Sequence, residues 1–108
     1  QKMRILEENR PRFGHITEVT AWTFDKEVEC APPNVWVVMH VYQDYLERCG
    51  RMNYALTQIA QSYPNIKFVQ ARSDRIGLDT YPEFGLPTLI VFKNGQQLQN
   101  HIAAHKLI

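Results

Sequence analysis

The segment Leu-Pro-Thr-Leu-Ile-Val-Phe-Lys-Asn-Gly occupies residues 86–95 and carries the strongest structural signal in the chain. Residues 88–92 are mostly β-branched, aromatic or leucine, which predicts a strand. Asn94-Gly95 is the preferred pair for a two-residue type I′ turn, so residues 96–102 should return as the second strand of an antiparallel hairpin. Because that second strand is mostly polar, we expect it at a sheet edge, where exposed backbone groups are tolerated or can receive a partner.

The middle of the chain predicts a strand, a helix and a second strand. Val35 to Tyr42 is continuously apolar apart from His40, which is typical of a strand covered on both faces in a parallel sheet. Asp44 and Glu47 approximate a capping box for a long helix, along which apolar residues recur at helical spacing: Leu46, Cys49, Met52, Leu56, Ile59 and Tyr63. Ile66 to Ala71 should form a strand parallel to the first, joined by a right-handed crossover. This unit predicts the α/β class.

Weaker signals flank this unit. Residues 15–19 alternate enough to predict an edge strand, and Thr20 suits the N-cap of a short helix that cannot run past Ala31. Apolar residues within 72–86 predict one short helix. We expect Trp36 in the core and Trp22 to be half exposed.

This order of elements, with Pro87 directly before the hairpin, resembles the thioredoxin fold from about Phe13 to the end of the chain. The resemblance implies a central mixed sheet flanked by helices and a cis Leu86–Pro87 bond, since proline alone adopts the cis form at low cost. Within that superfamily, the chain is similar to the thioredoxin-like domain of phosducin and phosducin-like proteins. The matching segments are Pro11 to Gly14, Val38 to Tyr42, Cys49, Tyr63-Pro64, Ile66 to Phe68 and Leu86 to Gly95.

The chain of 108 residues has the size of one domain. We expect residues 1–12 to be the end of an amino-terminal helical region or a linker. Residues 13–108 would then be the thioredoxin-like domain without the last helix that the family has. Because the chain begins at Gln1 and stops in the apolar pair Leu107-Ile108, we interpret it as a piece of a longer protein.

Charge and hydrophobicity exclude two classes of protein. Twelve Lys and Arg against eleven Asp and Glu give a net charge of +1, which is not the footprint of a nucleic-acid binder. The longest purely apolar run, Val35 to Met39, is far too short to insert across a membrane. No signal segment opens the chain, so we expect a cytoplasmic protein, and we expect it to be a monomer.

The two cysteines, Cys30 and Cys49, form no CxxC motif, so dithiol exchange lacks a resolving thiol and we expect both to be reduced. A position near the start of the long helix could lower the pKa of the Cys49 thiol and make it a monothiol redox site. Its place on the apolar stripe favours instead a buried side chain that is catalytically inert.

Other catalytic and metal-binding patterns are weak. His40 could serve as a base for a thiol, but in an apolar strand it is more typical of a neutral core residue with one hydrogen bond. His15, His101 and His105 share no ligand spacing with a cysteine or carboxylate, so we predict no metal site. No phosphate-binding glycine loop or hydrolase motif occurs, and we expect neither a cofactor nor an enzyme activity.

Charged residues gather in the loops predicted at one end of the sheet: Arg48, Arg51, Arg72, Asp74, Arg75 and Asp79. Arg72 and Arg75 are candidate partner-binding residues of this rim, although a solvated face explains the charges equally well. The phosducin resemblance implies a non-catalytic adaptor or co-chaperone that binds the G-protein βγ dimer, the cytosolic chaperonin CCT, or both. The rival hypotheses are a monothiol redox protein that uses Cys49 and a structural domain that positions neighbouring segments.

Overall fold

Five strands form one mixed sheet in the computed structural model, which describes residues 12–78 and 80–104. The order across the sheet is β1-β3-β2-β4-β5, with the bounds Ile16–Glu18 (β1), Trp36–Tyr42 (β2), Lys67–Arg72 (β3), Thr88–Lys93 (β4) and Gln96–His101 (β5). β3 is parallel to β1 and β2, whereas β4 is antiparallel to β2 and β5. The predicted parallel unit, the hairpin and the edge positions of β1 and β5 are confirmed. The predicted amino-terminal segment, apart from Arg12, lies outside the described residues, and so does Asp79 of the predicted charged rim.

The central strand β2 sends alternate side chains to opposite faces of the sheet. Val37, Met39 and Val41 join one buried cluster, and Val38 packs against a second cluster beneath the long helix. The expectation that Trp36 lies in the core is wrong, because this residue begins the strand at the margin of the sheet and is 42% exposed. Its outer position is therefore a consequence of where the strand starts.

Helix α1, Glu47–Ser62, covers one face of the sheet and buries four residues at helical spacing: Cys49, Met52, Leu56 and Ala60. The stripe predicted from the sequence is correct from Cys49 to Leu56. Its second half is wrong, since Ile59 and Tyr63 are exposed. Ala60, which continues the spacing from Leu56, takes the buried position instead.

The predicted capping box at the start of α1 is also wrong. The N-cap residue is Leu46, and no side chain of the described residues caps the helix. The carboxylate of Asp44 lies 3.4 Å from the guanidinium of Arg72, so this side chain pairs with β3 and does not cap α1.

The opposite face of the sheet is covered by shorter elements. Thr20 does not cap a helix. Its carbonyl oxygen accepts the N–H groups of Thr23 and Phe24 at 3.1 and 2.9 Å, which closes a turn. A five-residue π-helical turn, Asp25–Glu29, follows and ends before Ala31 as predicted. Lys67 of β3 attaches this turn to the sheet, since its Nζ donates to the carbonyl of Glu27 at 2.8 Å.

The connection between β3 and β4 holds two 3-10 turns, Ser73–Arg75 and Glu83–Gly85, where the sequence predicted one short helix. Gly77 has a φ of +80°, and Pro82 lacks an N–H group, so a continuous helix is interrupted twice. None of the described helices is long and apolar enough to cross a membrane.

Candidate functional site

Arg72, the first candidate partner-binding residue, ends β3 inside a network of ion pairs. Its guanidinium lies 3.0 Å from the carboxylate of Asp74 and 3.4 Å from that of Asp44. The side-chain amide of Gln43 donates to Asp74 at 3.0 Å. This bond, together with the one from Arg72, holds the pKa of Asp74 below its usual value. Arg72 is therefore already engaged within the domain.

Arg75, the second candidate, lies three residues further along the chain and differs from Arg72 in its exposure and its contacts. Its side chain is exposed and forms no ion pair with any described residue. Its carbonyl oxygen accepts the N–H of Ala21 at 2.9 Å, which joins this loop to the turn that carries Trp22. Of the two arginines, Arg75 is thus the one that presents its charge to solvent.

Arg48, which the sequence placed on the same rim, is half-buried and bonds to backbone groups of the domain. Its Nε donates to the carbonyl of Leu86 at 2.6 Å, and its Nη2 donates to the carbonyl of Glu83. These bonds attach the start of α1 to the turn before β4. Arg51 does remain on the surface, 3.9 Å from Glu47, where such a pair contributes little to stability.

The turn before β4 contains the cis peptide bond between Leu86 and Pro87. The N–H of Leu86 donates to Glu83 at 3.0 Å, and its carbonyl oxygen accepts the bond from Arg48. The carbonyl of Pro87 accepts the N–H of Ala104 at 2.7 Å. Since an incoming strand needs unpaired backbone groups, this turn does not offer a site for strand addition.

Cys49 lies at the first turn of α1 and is 2% exposed, so its predicted burial is confirmed. Burial raises the pKa of its thiol, which is therefore protonated at neutral pH. The lowered pKa that a monothiol redox site requires is absent. Cys30 is a free thiol on the surface, and its Sγ lies 3.9 Å from the carboxylate of Asp25.

His40 is 1% exposed, and burial lowers its pKa to about 4, so its ring is neutral at pH 7 as expected. The expected hydrogen bond is missing, because neither ring nitrogen has a partner among the described residues. The polar groups nearby bond to one another: Tyr42 Oη and Gln70 Nε2 both donate to the carboxylate of Glu18, at 3.0 and 2.8 Å. His40 is therefore not placed to serve as the base of a thiol.

A polar cavity of about 220 Å³ lies between the end of β2 and the start of α1, lined among others by Tyr42, Asp44, Cys49, Asn53 and Gln70. Across residues 12–78 and 80–104, no three histidine, cysteine or carboxylate side chains gather closely enough to hold a metal ion. The end of the sheet thus presents a charged surface, and the thiol of Cys49 beneath it is buried and protonated.

Comparison with known proteins assigns the chain to a family. The family model described as Phosducin matches residues 1–107.

The chain belongs to the phosducin family.

Similar relatives include Phosducin-like protein 3 of Danio rerio, 33% identical over 84 residues, which is 78% of this chain and 35% of that protein. Phosducin of Homo sapiens is 32% identical over 95 residues, 86% of this chain and 39% of that protein. Phosducin-like protein 2 of Drosophila melanogaster is 28% identical over 106 residues, 98% of this chain and 43% of that protein. The chain therefore spans less than half the length of these phosducin-family relatives.

Solved structures show the fold. The long form of thioredoxin f from spinach chloroplast superimposes with a TM-score of 0.73 at 21% identity, covering 94% of this chain and 86% of that one. A thioredoxin from Trypanosoma brucei brucei gives a TM-score of 0.70 at 19% identity, covering 91% of this chain and 88% of that one. The thioredoxin-like fold expected for a phosducin-family chain is confirmed.

Sequence reasoning missed one set of contacts in this phosducin-family domain. The hydroxyl of Tyr45 donates to the carboxylate of Glu83, next to the bonds that Arg48 makes. The two segments are about forty residues apart in the chain, and no periodic pattern links them. Nothing in the sequence could have identified Arg48 as an inward-facing residue.

Proposed function

We propose that this chain is the non-catalytic domain of an adaptor or co-chaperone that binds the G-protein βγ dimer, the cytosolic chaperonin CCT, or both. Membership of the phosducin family, matched over residues 1–107, is the observation that carries the proposal. We also propose that the protein is a monomer in the cytoplasm and that it binds its partners through surface residues.

The chemistry of the site supports a binding role over a redox role. A thiol that is 2% exposed, with its pKa raised by burial, is a poor nucleophile at neutral pH. His40, with a pKa of about 4, is neutral and has no hydrogen bond to any described group. Arg75, by contrast, presents an unburied positive charge at the end of the sheet.

Titration calorimetry of this chain against purified βγ dimer and against purified chaperonin tests the proposal. We expect weak binding to at least one of them, with a Kd of about 1 μM or higher, because the chain spans only 35% to 43% of the relatives' length. Arg75→Glu should weaken this binding, whereas the control Arg51→Glu, on an exposed site of α1, should not. No binding to either partner would contradict the proposal.

The redox alternative is tested by insulin reduction with dithiothreitol. We expect no turnover above the background of dithiothreitol for the unchanged chain, and no effect of Cys49→Ser. The exposed thiol gives a matched control, Cys30→Ser. Turnover that Cys49→Ser abolishes and Cys30→Ser preserves would establish the monothiol function instead.

A further inference from the structure

An apolar cavity of about 350 Å³ opens on the sheet face opposite α1. Its floor consists of Met39, Ile90 and Phe92, which come from neighbouring strands. Phe24 forms one wall, and the segment containing Ile76 and Leu78 forms the other. Among the described residues that line the cavity, Gln97 of β5 is the one with a polar side chain.

The cavity follows from the short elements that cover this face. Phe24 is held in place by an edge-to-face contact with Phe92, with ring centroids 5.8 Å apart. Across the gap, Gly77 adds no side chain between Ile76 and Leu78. A volume of about 350 Å³ is at the small end of ligand-binding pockets, which span about 300–1,000 Å³, so it suits one bulky apolar group.

Trp22, in the turn beside this cavity, is 95% exposed and not half exposed as the sequence predicted. The turn that presents it is closed by Thr20 and Thr23, since the N–H of Thr20 donates to Thr23 Oγ1 at 3.0 Å. Trp22 follows the lining residue Ala21, whose N–H donates to the carbonyl of Arg75. Trp and Arg are among the residue types most enriched in strong contacts of protein interfaces, and this backbone bond brings the segments that carry Trp22 and Arg75 together. The cavity together with Trp22 and Arg75 therefore suits a protein partner better than a small molecule.

The charge of the rim indicates the character of the partner. Arg75 is exposed and precedes the lining residue Ile76. Among the described acidic residues nearby, Asp74 is paired with Arg72 at 3.0 Å, and the exposed carboxylate of Asp25 is followed directly by the exposed amine of Lys26, whose charge offsets it. A positive group therefore faces solvent at this mouth, which favours an acidic partner.

We propose that this cavity docks a segment of a partner protein that inserts one bulky apolar side chain and places an acidic residue against Arg75, with Trp22 packed on its flank. The inference goes beyond the proposed partner classes, because it concerns the chemistry of the docked segment. Failure of the βγ dimer and the chaperonin to bind would leave it standing, since the test below uses neither.

The test titrates the peptide acetyl-Glu-Leu-Phe-Glu-amide into the whole chain and follows the methyl resonances of isoleucine, leucine and methionine by NMR. We expect saturable shifts at Met39, Ile76, Leu78 and Ile90, which line the cavity. A peptide with lysine in place of both glutamates should bind at least about threefold more weakly, the effect of an exposed charge pair. Trp22 fluorescence, recorded in the variant Trp36→Phe, should change with the same affinity.

Two variants and their controls make the test specific. Ala21→Leu fills the mouth of the cavity from an exposed position and should weaken peptide binding about tenfold or more, the size of a lost anchor contact. Arg75→Glu should abolish the preference for the acidic peptide. The matched controls Gln58→Leu and Arg51→Glu, both on exposed sites of α1, should leave binding unchanged.

Several results would overturn the inference. They are shifts confined to other parts of the sheet, equal binding of the acidic and basic peptides, or no shifts up to the solubility limit of the peptide. Tighter binding of octanoate than of the peptide would assign the cavity to a free amphiphile. Shifts of the same methyl groups that depend on protein concentration alone would assign it to a second copy of this chain.

Discussion

The two faces of the sheet are covered in opposite ways. One lies beneath α1, a helix of sixteen residues, and its strand residues include polar groups such as His40 and Gln70. The other presents apolar residues such as Met39 and Phe92, yet it is covered by a five-residue π-helical turn and by 3-10 turns of three residues each. The continuous helix covers strand residues that include polar groups, whereas the short turns leave a cavity of about 350 Å³ over buried apolar residues. The first face is suited to stability and the second to binding.

The face beneath α1 should show the largest effect of a single truncation. Leu56→Ala should lower the free energy of unfolding by about 3 kcal/mol, because Leu56 is 5% exposed and its loss leaves a void between helix and sheet. Ile59→Ala on the same helix, at a site 40% exposed, should cost about 1 kcal/mol or less. Urea denaturation measures both values. Equal effects would show that α1 does not seal this face.

His40 tests the polar groups under α1. Its pKa is about 4 in the folded protein and 6.5 when unfolded, so the unfolded chain binds the proton more readily. Stability should therefore be full above pH 6.5 and decline as the pH falls towards 4, by about 3 kcal/mol from this group.

The variant His40→Leu isolates that contribution. Its unfolding free energy should depend less on pH between 6.5 and 4 than that of the unchanged chain, and at pH 7 it should be no less stable, because the ring nitrogens have no partner among the described residues. Urea denaturation across this range measures the difference. Parallel pH profiles for the two proteins would contradict the assignment.

Arg48 tests how α1 is held over its face. Arg48→Met keeps most of the side-chain length but removes the bonds to the carbonyls of Leu86 and Glu83, and it should cost about 2 kcal/mol, the value of hydrogen bonds from a charged donor. Arg51→Met, at an exposed ion pair, should cost about 0.5 kcal/mol or less. Thermal unfolding distinguishes them, and indistinguishable midpoints would mean that these bonds do not stabilise the domain.

The smallest effects should separate the two candidate partner-binding arginines. Arg72→Glu places a carboxylate among Asp44 and Asp74 and should cost about 1 kcal/mol. Arg75→Glu should change stability by less than about 0.5 kcal/mol, since it breaks no described ion pair. Melting temperatures of both variants check this order. The reverse order would show that Arg75, and not Arg72, belongs to the structural network.

Local patterns were sufficient for the elements that depend on neighbouring residues. Asn94 and Gly95 have φ angles of +53° and +77°, as a type I′ turn requires, and a side chain at Gly95 would lie 3.3 Å from the carbonyl of Glu29. The parallel strands and the buried position of Cys49 also follow from periodicity. For the candidate site, the sequence predicted a group of charged residues but not their contacts.

Contacts between distant segments determine the roles of individual polar side chains and the position of the cavity. Arg48 bonds to residues 35 and 38 positions away, and Arg72 reaches back to Asp44, so neither role is written in a local pattern. His40 has no hydrogen-bond partner among the described residues, and its neighbours Tyr42 and Gln70 donate instead to Glu18, which comes from another strand. The cavity near Trp22 exists because two short segments, far apart in sequence, stop before they meet over the sheet. Spacing along the chain specifies periodic elements, but the partners of a polar side chain and the gaps between elements depend on how those elements pack.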